Sequence, residues 1–241
     1  MAIKYFFALI VLIQYSIVNG QNGINEQYWT DINTSFFLSK RTNFVSDIGY
    51  RHQINEPKWN QFLIRPGVNY TLSTHWFLTG GVGYFYKDSK STEEEQEVRL
   101  YQGLKFTTSF YKRLTFKNYF RVEERFRFLY DEEESTVRIR NQATLLFHLK
   151  NTIESRISIP LSIEIFTGFD NVTSKLFSKE RGRYFTGIDY SRKDHWRLEL
   201  LLNIQGSNDS LWDESSPTDL FFRTRFFLYL RKSNFKKEDS L

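Results

Sequence analysis

The stretch Phe110–Tyr130, FYKRLTFKNYFRVEERFRFLY, decides the fold. Phe116, Phe120, Val122, Phe126, Phe128 and Tyr130 share one parity, while Lys117, Tyr119, Arg121, Glu123, Arg125 and Arg127 share the other. A helix would mix these sets around its circumference, whereas a strand sends successive side chains to opposite faces. The split repeats on either side. In Gln96–Phe110, Val98, Leu100, Leu104 and Phe106 oppose Glu97, Arg99, Gly103 and Lys105. Phe62, Ile64, Val68, Tyr70 and Leu72 oppose Gln61, Arg65, Gly67 and Asn69, and near the end Leu220, Phe222, Phe226, Leu228 and Leu230 oppose Asp219, Arg223 and Arg225. Alternation punctuated by turn residues is the all-β pattern.

Eleven such strands are legible: Tyr28–Leu38, Asn43–His52, Trp59–Leu72, His75–Lys87, Gln96–Phe110, Leu114–Tyr130, Thr136–Leu149, Ile157–Phe169, Arg183–Ser191, His195–Gln205 and Thr218–Arg231. Their connections alternate between short and long, the layout of outer-membrane barrels with long loops outside. An antiparallel up-and-down transmembrane β-barrel is expected. Single-chain bacterial barrels have even strand numbers, so about twelve strands (10–12) are expected, the extra one lying near Gln21–Gln27. Glu124 falls on the lipid parity, and a β-bulge that turns it inward is expected.

Composition narrows the class. The 241 residues are 18% aromatic and 25% charged, which excludes a disordered chain. Beyond residue 20 the longest apolar run is Phe226–Leu230, far short of the ~18 residues of a spanning helix. The absence of Cys excludes disulfides, thiolate chemistry and Cys-ligated zinc. Lys4, the apolar stretch Tyr5–Val18, and Val18 and Gly20 at positions −3 and −1 before Gln21 read as a signal peptide over 1–20. No linker interrupts 21–241, which is expected to be one barrel domain in the bacterial outer membrane.

The charged parity carries Arg51, Arg65, Arg99, Lys105, Arg121, Arg125, Arg127, Arg138, Arg140, Arg183, Arg197, Arg223 and Arg225 against Asp31, Asp47, Glu97, Glu123, Glu164, Asp189, Glu199 and Asp219, thirteen cations to eight acids. Arginine suits interdigitated ion pairs in a confined lumen, and Trp and Tyr at strand ends suit an interfacial girdle. The expected lumen-lining set is Arg121, Glu123, Arg125, Arg127, Arg138, Arg140, Glu164, Arg183, Arg223 and Arg225.

The order of strand motifs resembles the domain of unknown function 2490 family of outer-membrane barrels. The resemblance rests on Trp29, Arg121–Phe126 (RVEERF), Arg138–Asn141 (RIRN), Pro160–Phe166 (PLSIEIF) and Arg183–Tyr190 (RYFTGIDY), and covers nearly all of 21–241. It implies a location and a fold, and no activity.

The four histidines, His52, His75, His148 and His195, lack metal-ligand spacing, so neither a metal nor a cofactor is expected. His148 and Ser158 share the inward parity and could meet across the Leu149–Arg156 connection, most simply as a polar pair near the periplasmic rim. No oxyanion donors or orienting acid mark catalysis there, so a non-enzymatic barrel is expected. The acidic runs Glu93–Glu95 and Asp131–Glu134 read as solvated loop tips. The net charge of +5 comes from basic residues that alternate with acids, with no basic groove for nucleic acid. The expected partners are outer-membrane lipids and small anionic solutes. The expected function is a small anion-preferring passive channel; a plugged structural barrel and a barrel enzyme acting on lipid or peptide are the alternatives.

Overall fold

The computed structural model describes residues 24–55, 58–89, 94–129, 132–170, 178–192, 195–207 and 219–230. The expected signal segment lies outside these, as do the residues at the tips of the longest loops. The strands are β1 (Asn25–Phe37), β2 (Thr42–Gln53), β3 (Trp59–Thr71), β4 (Trp76–Ser89), β5 (Glu95–Phe110), β6 (Leu114–Phe128), β7 (Glu133–Asn151), β8 (Ser155–Asp170), β9 (Ser178–Arg192), β10 (Trp196–Ser207) and β11 (Asp219–Leu230). They form a closed barrel in which every sequential pair is antiparallel.

Closure takes eleven strands, within the expected 10–12. β1 and β11 run in the same direction and pair in parallel, from Asn25↔Asp219 to Phe36↔Leu230. A parallel seam satisfies both edges, so an odd count closes without the extra strand expected near Gln21–Gln27.

The two faces are inverted relative to a water-soluble protein. The outer wall exposes Ile32, Ile48, Leu78, Leu100, Ile165, Leu200 and Phe222, each at about half of its full accessibility, in a belt around the barrel. The interior buries Asp31, Glu97, Glu123, Glu164 and Asp189, the first of them 1% exposed. Such a distribution is stable only where hydrocarbon bathes the outside, and closure leaves no strand edge unpaired in it. At the short-turn end the outward aromatics cluster: Trp76 packs on Phe106 at 4.7 Å, and Trp196 lies 5.2 Å from Tyr190 and 5.9 Å from Phe226.

Glu124 corrects a second expectation. The pairing Leu100↔Glu124↔Val137 runs without a break, so no bulge turns this carboxylate inward and it faces out. It stands four residues before the outer end of β6, where the cost of a lipid-facing charge has fallen to ~0–1 kcal/mol. The irregularities lie elsewhere, between His148 and Lys150 and between Phe166 and Gly168.

Two inward glycines shape the wall. A Cβ on Gly67 or Gly81 would lie 2.4 or 2.5 Å from the Tyr101 hydroxyl, which occupies the space both leave and donates to the Pro66 carbonyl at 3.3 Å.

Single cysteines test the facing of the strands. Phe120→Cys and Leu228→Cys should resist a membrane-impermeant maleimide, while Gln61→Cys and Arg127→Cys should react. The reverse pattern would place the apolar belt inside.

Candidate functional site

The inward parity of the strands gathers charge at the long-loop end. A cavity of about 670 Å³ opens there, lined by residues at the outer ends of most strands, among them Asn25, Gln53, Trp59, Lys87, Arg127 and Asp219. Nine arginines and Lys87 line it against four carboxylates: Glu95, Glu97, Glu134 and Asp219. Counting Asp31, Asp47, Glu123 and Glu164, which pair with lining arginines, the balance is ten cations to eight acids.

Those pairs form a connected belt. Glu123 takes Arg138 and Arg140 on one side of the lumen, with Arg121 Nε at 2.8 Å. Arg140 also reaches Glu164, which Arg183 Nη1 bonds at 3.0 Å. Arg183 donates to Gln205, Gln205 to Asp219 at 3.2 Å, and Gln27 to Asp219 at 3.0 Å. Trp29 Nε1 completes the run by donating to Gln27 at 2.8 Å. On β5 and β6, Glu97 binds Arg99 through both oxygens and Arg125 Nε at 2.5 Å. Asp47 holds Arg65 bidentately.

Arg51 is the exception. Its guanidinium lies 3.9 Å from the Trp29 ring centre and donates to Gln61 at 2.9 Å, and no carboxylate pairs with it among the described residues. The Nε atoms of Arg51 and Arg127 and the Thr136 hydroxyl, all on cavity residues, are buried without a hydrogen-bond partner. Buried donors of this kind call for water or a ligand. Beneath the cavity the lumen is filled: Phe221 stacks on Trp29 at 3.9 Å, Arg99 caps Phe85 at 3.6 Å, and Leu63, Leu146 and Leu201 are buried.

A second polar cluster occupies the short-turn half. Ser158 Oγ lies 2.8 Å from His148 Nδ1, and Thr115 Oγ1 lies 2.8 Å from His148 Nε2. Thr115 continues to Ser109 at 2.9 Å. Asp189 stands opposite Ser158 in the register, and no hydrogen bond joins it to His148 among the described residues. Arg197 and Arg225 pair with Glu199 below the filled layer.

All ten sequence-derived lumen residues lie on the inner face. Arg125, Arg127, Arg138, Arg140, Arg183 and Arg223 line the cavity. Glu123 and Glu164 anchor lining arginines, while Arg121 pairs with Glu123 and Arg225 with Glu199. Arg51 was legible as a lumen cation but not as the unpaired one. Trp59 and the amides of Asn25, Gln53 and Gln61 carried no signal beyond their parity.

The family model "Protein of unknown function (DUF2490)" matches residues 26–213. The chain belongs to this family. No curated protein matches it. Among solved structures it is similar to LpxR from Salmonella typhimurium, with a TM-score of 0.50 and 8% identity over 80% of this chain and 84% of that one. A match to the siderophore receptor PirA from Pseudomonas aeruginosa has a TM-score of 0.36 and 10% identity, over 73% of this chain and 32% of that one. LpxR is a barrel enzyme, and this likeness overturns the expectation that the chain is not an enzyme.

Glu123 gives the network its test. Glu123→Gln leaves three guanidiniums without their shared counter-charge and should cost about 3–5 kcal/mol in urea unfolding from lipid vesicles. Glu95→Gln removes a half-exposed 3.6 Å pair with Lys87 and should cost less than about 1 kcal/mol. Equal effects would show that the belt does not hold the lumen.

Proposed function

We propose that this barrel sits in the bacterial outer membrane, exported by its N-terminal segment, and captures polyvalent anions at the cell surface in a vestibule with a closed floor. The observation that carries this reading is Arg51. It lines an outward-opening cavity, has no carboxylate partner among the described residues, and faces a cation surplus. Guanidiniums held by Glu97, Glu123 and Glu164 are pre-organised, so an arriving anion meets donors whose rotamers are already fixed. The layer of Trp29, Phe85, Phe221 and Leu201 favours capture over the open anion channel expected from the sequence alone.

Calorimetric titration with pyrophosphate tests it. The wild-type protein should bind, and the double variant Arg51→Gln/Arg127→Gln should lose about tenfold or more in affinity, the ~1.4 kcal/mol or above expected of charge-assisted hydrogen bonds. Absence of binding, or a stable current through the wild-type protein in planar bilayers, would contradict closed-floor capture.

The 2.8 Å contact between Ser158 Oγ and His148 Nδ1 favours a second reading, hydrolytic acyl transfer. With Nε2–H donating to Thr115, Nδ1 is the basic nitrogen: it takes the serine proton as Oγ attacks an ester carbonyl, returns it to the alcohol whose C–O bond breaks, and then activates a water that releases the acid from Oγ. A fluorophosphonate should then label Ser158, and Ser158→Ala should abolish labelling. An unlabelled wild-type protein, in both vesicles and detergent, would remove this reading.

A further inference from the structure

We infer that the ligand of the vestibule is an anionic saccharide, a conclusion that rests on the anion-capture reading above. The cavity has two unlike walls. Arg125, Arg127, Arg138 and Thr136 stand on β6 and β7. β2 lies five strands from β7 one way around the barrel and six the other, so β1–β3 face them across the lumen. That opposite wall sets amides and an indole, Asn25, Gln53, Gln61 and Trp59, beside Arg51 and Arg65.

An inorganic or simple carboxylate anion makes use of the guanidiniums alone. The amide wall has capacity that such an anion leaves unused. Gln61 accepts from Arg51 through Oε1, and its amide N–H groups have no partner among the described residues. Gln53 donates to Asn55 at 3.3 Å and Asn25 to Asp219 at 3.2 Å, and the carbonyl oxygen of each accepts no hydrogen bond among the described residues. These are paired donors and acceptors of the kind sugar hydroxyls require, because each hydroxyl both gives and takes a hydrogen bond.

The indoles differ in the same sense. Trp29 is closed on both faces, by Phe221 and by Arg51. Trp59 stacks on no aromatic ring among the described residues, and Lys87 Nζ lies over one of its faces, 5.7 Å from its centre. It is a platform at the rim for the C–H face of a pyranose, with a cation beside it. The 670 Å³ cavity falls in the ~300–1,000 Å³ range of small-molecule sites and accommodates a short oligosaccharide. Carboxylate or phosphate groups on that saccharide would meet Arg51, Arg125 and Arg127, and its hydroxyls the amides.

The test is calorimetry on the purified full-length barrel with digalacturonate, with lactose as the neutral disaccharide and with succinate as a dicarboxylate of equal charge. Digalacturonate should bind at least tenfold more tightly than either. Trp59→Ala and Gln61→Ala, each checked for an SDS-resistant folded barrel, should bring digalacturonate down to the level of succinate. Lipopolysaccharide in detergent is titrated in parallel, and binding that depends on Trp59 assigns the saccharide to a lipid-linked source, whereas binding of digalacturonate alone assigns it to a free one. Equal binding of succinate and digalacturonate overturns the saccharide while leaving anion capture standing. Uridine monophosphate binding more tightly than digalacturonate overturns it in favour of a nucleotide. If none of the anions binds, both the saccharide and anion capture fail.

Discussion

The ion cluster around Glu123 is the constraint on which the interior depends. Removing a carboxylate from water is costly, and here one carboxylate is shared by Arg121, Arg138 and Arg140, from two adjacent strands. Such an arrangement is favourable only when every member is in place, because any unpaired charge in so dry a space costs several kcal/mol. The network therefore fixes register as well as neutralising charge. A one-residue slip of β6 against β7 would turn Glu123 and Arg121 to the lipid and take the shared carboxylate from Arg138 and Arg140. Glu97, Asp47 and Glu164 repeat the device around the wall, so the barrel is held from within by charge and from without by the hydrocarbon around its apolar belt.

The same network explains why the vestibule is cationic without being unstable. Carboxylates in and around it hold most of the arginines in fixed rotamers. Arg51 is supported differently, by an aromatic ring and an amide, with no carboxylate at ion-pair distance among the described residues. The filled layer beneath separates this compartment from the hydroxyl and imidazole chain of Ser158, His148 and Thr115, giving one lumen two chemically distinct halves.

Strand identity and facing were legible in the sequence because period-two alternation is a local property, and Phe116–Phe128 displays it with only Asn118 and Glu124 polar on the apolar parity. The meeting of His148 and Ser158 was legible too, since a short connection and common parity bring them together. What the sequence could not carry was the circumference. Whether β1 meets β11 in parallel or through another strand depends on closure, which no local pattern encodes. Glu124 was misread because a charge on the lipid parity suggested a bulge, when its height near the outer rim already accounts for it. Trp59 and Gln61 were invisible as site residues: parity gives the face a side chain occupies, not its depth or its unused hydrogen-bonding groups.

The central claim, an anion site above a closed floor, is tested most directly by diffraction from crystals grown with selenate. The account predicts an anomalous peak in the vestibule within hydrogen-bond reach of Arg51 or of Arg127 and Thr136, with side-chain density filling the lumen from Trp29 and Phe221 downward. A vestibule without selenate, above a continuous column of water running past Phe85 and Leu201 to the short-turn end, would contradict it.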